Sequence, residues 1–141
     1  MHTPEPPPPP RETQRTLTVM LERAQRQHGR WPFVEWRVTG VLPEPAGSSA
    51  APLRRLVHDG GAVRLYQWSG LPLRLIPDAS EDYWYNLDSA QPLLFVICHQ
   101  GEDGDPAPVR ITVDQDEAVA AQEVQETVLE SPLPPALIDW V

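Results

Sequence analysis

The chain has 141 residues, with 11 Arg, no Lys, 20 acidic residues and a net charge of −9. An acidic surface repels phosphate backbones, so the electrostatic footprint of nucleic-acid binding is missing. The lone cysteine, Cys98, cannot staple a fold, and no apolar run approaches the ~18 residues that a membrane span needs.

The charge is uneven. Residues 1–76 hold 10 Arg and 6 acids, whereas residues 77–141 hold one Arg and 14 acids. Zero Lys with abundant Ala and Pro is simplest as the codon usage of a GC-rich genome, and only secondarily as a need for guanidinium geometry. No secretory signal pattern is read at the start, so the expected location is a bacterial-type cytoplasm.

Residues 1–13 open with MHTPEPPPPPRE and are expected to be a disordered, Pro-rich tail of polyproline II character. Residues 14–141 are then a single β-rich domain. Thr16 to Arg23 alternates Leu17, Val19 and Leu21 with polar positions, a strand signal. Arg23 to Arg30 is polar and reads as a loop. Val34 to Leu42 is a second strand, with Gly40 marking a bulge or bend and Pro43 ending the pairing. A flexible loop over 43–52 leads to a short strand at Leu53 to Val57, and Asp59-Gly60-Gly61 is a hairpin turn. Ala62 to Trp68 returns as a strand, Ser69-Gly70 makes the next tight turn, and Leu71 to Leu75 alternates again, which predicts an antiparallel meander.

Asp78 and Glu81 form a capping-box-like pair at the start of a short helix that carries Tyr83 and Leu87 four residues apart. Leu93 to Cys98 is continuously apolar, as in a strand buried on both faces. Gly101 to Asp105 turns the chain, and Val109, Ile111 and Val113 close a hairpin. Asp114, with Glu117 three residues on, caps a second short helix. Glu126 to Glu130 is a last strand, and Ala136 to Val141 begins a C-terminal helix that was cut short or docks on the domain.

The segments WPFVEWRVTGVLPE (31–44), VRLYQWSGLPLRL (63–75), EDYWYNLDSAQPLLFVI (81–97) and ESPLPPALIDWV (130–141) resemble a bacterial family of uncharacterised single-domain proteins. Its members are often encoded beside formate dehydrogenase genes and are sometimes labelled molybdopterin-guanine dinucleotide biosynthesis proteins. A nucleotidyltransferase of that kind needs a Gly-rich, Lys-containing phosphate loop and a larger α/β core, and this chain has neither. The resemblance implies an association with formate dehydrogenase maturation, by analogy alone.

Chemistry-bearing residues do not gather. Cys98 and His99 are strand neighbours and point to opposite faces, so Cys98 reads as an inert core residue. The histidines His2, His28, His58 and His99 show no ligand spacing, so no metal and no cofactor is expected. Glu102, Asp103 and Asp105 read as a solvated hairpin tip, since their spacing is not that of a calcium loop. Tyr83, Trp84 and Tyr85, with Trp140 near the end, are the candidate partner-binding surface, because consecutive helical aromatics cannot all be buried. Arg64, Tyr66 and Trp68 share a strand face and, with Arg74, make an alternative basic and aromatic surface that could grip an anion or small ligand. An aromatic face packed under other elements is the plainer explanation.

The expected fold is α+β, an antiparallel curled sheet or partial barrel of six to seven strands with two short helices and a C-terminal helix. The expected role is a non-enzymatic accessory or adaptor protein that binds a protein partner. The alternative is a small-ligand or cofactor-binding domain that uses the Arg, Tyr and Trp sheet face. The oligomeric state is left open, and neither nucleic acid nor membrane is expected as a partner.

Overall fold

The computed structural model describes residues 14–45, 51–74 and 92–138. Strands β1 (Gln14–His28) and β2 (Trp31–Pro43) form an antiparallel hairpin in which Leu17 faces Pro43 and His28 faces Trp31. Their connection is a two-residue loop whose first position is Gly29, at φ +62°. Glycine adopts that sign without the steric cost other residues meet. Residues 23–30, expected as a loop, thus continue β1 to His28. Side chains from Gln25 onward are exposed, so no apolar alternation marks this stretch, and pairing with β2 carries it instead. The bulge expected near Gly40 is present: Met20 faces Gly40 and Leu21 faces Val38, which leaves Thr39 as the extra residue.

Strand β3 (Leu53–Asp59) turns through Gly60 and Gly61 into β4 (Val63–Arg74), which also pairs with β1 along its length. Asp59 holds the turn by accepting from the Gly61 amide at 3.0 Å. Ser69-Gly70 is not a turn. It is a bulge inside β4, where Ser69 and Gly70 together oppose Thr18, with Gly70 at φ +74°. A positive-φ glycine serves either a turn or a bulge, and the long partner strand β1 decides for the bulge. The expected meander of two short strands here is therefore one bent strand.

β5 (Leu93–Gln100) pairs on one side with β6 (Pro106–Thr112) and on the other with β7 (Thr127–Pro132), all antiparallel. This explains the unbroken apolar run: Leu94, Val96 and Cys98 face the core, while Phe95 and Ile97 are buried on the side where helix α1 (Gln115–Glu123) packs. Asp114 caps α1 by accepting from the Asp116 amide at 2.9 Å, and Ala118 and Ala121 are its buried residues. A single helical turn, α2 (Pro135–Ile138), follows β7. The helix expected at 78–88 lies outside the described residues. The described residues are thus more sheet than the α+β expectation, with one full helix.

The sheet runs β2-β1-β4-β6-β5-β7, and β3 shares an edge of β4 with β6. The β4–β6 join is parallel and slight, with Leu73 facing Ile111. β2 and β7, the ends of the path, also touch, so the sheet is nearly closed and barrel-like. Leu17, Val19, Leu21, Leu71, Leu73, Leu94, Val96, Ile111, Val113 and Leu137 fill it. Each fully buried leucine contributes about 2 kcal/mol by removing its side chain from water.

Candidate functional site

Residues directly opposite one another in an antiparallel sheet place their side chains on the same face. Three such rows cross β2, β1, β4 and β3. The first is Val41, Val19, Trp68 and Arg54; the second is Val38, Leu21, Tyr66 and Leu56; the third is Trp36, Arg23, Arg64 and Asp59. All three lie on the core-facing side, because Val19 and Leu21 are core residues. Along β4 this face changes from buried to open. Trp68 packs half-buried on the core, Tyr66 is buried, and the Arg64 side chain is 41% exposed.

The rows bring Arg64, Tyr66 and Trp68 together. Arg74 is not with them. It stands at the far end of β4, opposite Gln14, about 30 Å from Arg64 at the usual rise per strand residue. Tyr83, Trp84, Tyr85 and Trp140 lie outside the described residues.

Tyr66 is the centre of the cluster. Trp36 stacks on it with ring centroids 5.9 Å apart and planes 30° from parallel, and the Arg54 guanidinium lies 5.1 Å from its ring centre. Offset stacking and cation–π contacts of this kind each contribute about 1 kcal/mol. Arg54 donates to Asp103 Oδ2 at 2.8 Å, which ties β3 to the β5–β6 turn. That hydrogen bond raises the Arg54 pKa and lowers that of Asp103. Asp59 is likewise lowered, first by the Gly61 amide and then by Arg64, 3.4 Å away. A cleft of about 360 Å³ opens between Arg54, Trp68 and the turn residues Glu102, Asp103 and Asp105.

A second polar knot lies on the other half of the sheet. Arg110 reaches Glu117 at 3.2 Å and Glu126 at 3.3 Å, and His99 pairs with Glu126. Burial lowers the Arg110 pKa, but the hydrogen bonds with Glu126 and Glu117 outweigh it, and Arg110 in turn holds Glu126 below its ordinary value. These are structural ties between β5, β6, α1 and the turn before β7. Cys98 is fully buried, and desolvation pushes its thiol up to about 12. Among the described residues no three His, Cys, Asp or Glu side chains gather as metal ligands, and no helix is long and apolar enough to cross a membrane.

Sequence reasoning missed the exposed apolar end of the sheet. Trp31 is 76% exposed, Phe33 44% and Val34 41%, with Val63, at the start of β4, exposed beside them. Reading 23–30 as a loop hid the strand partner of 31–34. The signal was the dipeptide Gly29-Arg30 between two stretches able to pair, the spacing of a two-residue hairpin.

The geometry defines a strand-rich domain built on one nearly closed sheet, with an aromatic and arginine cluster at its open end. Residues 16–141 match the family described as "Protein of unknown function (DUF3305)", and the chain belongs to that family. No curated protein and no solved structure matches it.

Proposed function

We propose that this chain is a non-enzymatic accessory domain that binds a protein partner in the bacterial cytoplasm, and that the partner belongs to the formate dehydrogenase maturation system. The carrying observation is the exposed apolar end of the sheet. Trp31, Phe33 and Val34 on β2 and Val63 at the start of β4 lie exposed at one end of the sheet, and Leu56 on β3 is exposed directly opposite Tyr66 of the Trp36–Tyr66 stack. Contiguous exposed apolar groups mark contact surfaces, and Trp, Tyr and Arg supply most contact energy where partners meet. The formate dehydrogenase step rests on the resemblance to a family encoded beside those genes.

The test is quantitative co-purification of the tagged full chain from its native cell, followed by binding measurements with the isolated enzyme subunit. Enrichment of a formate dehydrogenase component and saturable binding in the purified pair are expected. Purified subunits that fail to bind the chain overturn the assignment.

A second reading, small-ligand binding on the Arg64, Tyr66 and Trp68 face, is favoured by the cleft beside Arg54 and Trp68. Its lining sets three acids against one arginine, which suits a flat organic cation better than an anion.

A further inference from the structure

We infer that the β1–β2 hairpin arm is the docking element, and that it receives an acidic protein segment bearing apolar side chains. This deepens the partner-binding reading above and rests on it. β4 begins at Val63, opposite Ala24, so beyond that row β1 and β2 continue as a two-stranded ribbon. Four rows project, from Gln25–Val34 to His28–Trp31, which is about 13 Å at the usual strand rise. The ribbon is tied at its base, where the Gln25 amide donates to the Ala62 carbonyl at 2.7 Å. Every residue from Gln25 to Glu35 is exposed. An isolated two-stranded ribbon is marginal in water, so this arm gains order from whatever covers it.

The two faces of the arm differ. Phe33 stands directly opposite Arg26 and Trp31 opposite His28, which puts both aromatics and these basic side chains on the face away from the core. Gln25, Gln27, Pro32 and Val34 occupy the other face. The arm carries Arg26 and Arg30, of which Arg26 pairs with Glu35 at the arm's base, on a chain of net charge −9. The β5–β7 half contrasts with this: residues 92–138 carry nine acids and one arginine, Arg110. An acidic segment is repelled by that half and attracted to the β1–β4 half, where residues 14–74 carry nine arginines against four acids, so charge selects the partner and the side it approaches. Trp31 and Phe33 then supply the apolar anchors.

The test places a photoreactive benzoylphenylalanine at Phe33 of the full chain in the native cell, and at exposed Val119 on α1 as control. Adducts from position 33 are expected to map to acid-rich, apolar-containing stretches of one protein. Their yield is expected to fall about tenfold with Arg26→Glu and Arg30→Glu together, and less with the milder Arg30→Gln, while the far-UV circular dichroism is unchanged. Adducts to a second copy of this chain, to lipid, to nucleic acid or to acid-poor segments overturn the inference, as does a yield indifferent to arginine reversal. Adducts from position 119 alone sink the arm and leave the accessory role standing. Adducts from neither position sink both.

Discussion

Arg54 and Asp103 lie 49 positions apart in sequence, yet their side chains meet at 2.8 Å and join two strand groups that share no ladder of hydrogen bonds there. Among the described residues β3 pairs with β4, and this ion pair sets how far β3 stands from the β5–β6 turn. Both side chains are more than a third exposed, so the pair adds little to global stability. Its role is positional.

The position of β3 should therefore depend on pH. Asp103 is held below its ordinary value by Arg54 when folded, so the tie is complete above the unfolded carboxylate pKa and is lost as pH falls through the lower, folded one. Trp68 lines the same cleft. Its fluorescence should change across that acidic window in the wild type and stay flat in Asp103→Asn. A wild-type titration identical to that of the variant would exclude the coupling.

Gly70→Ala should destabilise the domain by about 1–2 kcal/mol, because alanine at φ +74° meets the left-handed steric penalty. The bulge is also clamped from outside: Glu44 Oε1 accepts from both the Gly70 amide and the Thr18 hydroxyl at 2.8 Å. Glu44→Gln keeps one acceptor and should cost less than Glu44→Ala. Urea unfolding midpoints at constant m decide the order.

Cys98 should be inert toward thiol reagents in the native state. It is fully buried and its thiol is pushed up to about 12, so the thiolate population at pH 8 is negligible. Labelling should begin only as urea unfolds the chain. Rapid labelling of the folded protein at pH 8 would contradict the burial.

Asp114→Ala should cost about 1 kcal/mol, since it leaves the Asp116 amide without its capping acceptor. Asp114→Asn should restore most of that. Thermal midpoints of the three proteins give the comparison.

Legibility varied with how local the cause was. The buried run Leu94 to Cys98, the cap at Asp114 and the bulge by Gly40 each follow from a few adjacent residues, and each could be read in the sequence. The outer half of β1 was opaque, because Gln25 to His28 are polar on both faces and only β2 makes them a strand. Ser69-Gly70 was misread for the same reason, since its geometry depends on Thr18, more than fifty residues earlier. The common face of Arg64, Tyr66 and Trp68 was visible as alternation. The separation of Arg74 was not, because it needed the uninterrupted length of β4.

The placement of β1 between β2 and β4 bears on how the chain matures. Gln14 pairs with Arg74, so β1 leaves the ribosome some sixty residues before its second neighbour. Such remote pairing places folding in the slow, millisecond-to-second regime of β topologies. Until β4 arrives, the nascent hairpin shows Leu17, Val19 and Leu21 to solvent, a window in which a holdase chaperone has something to grasp.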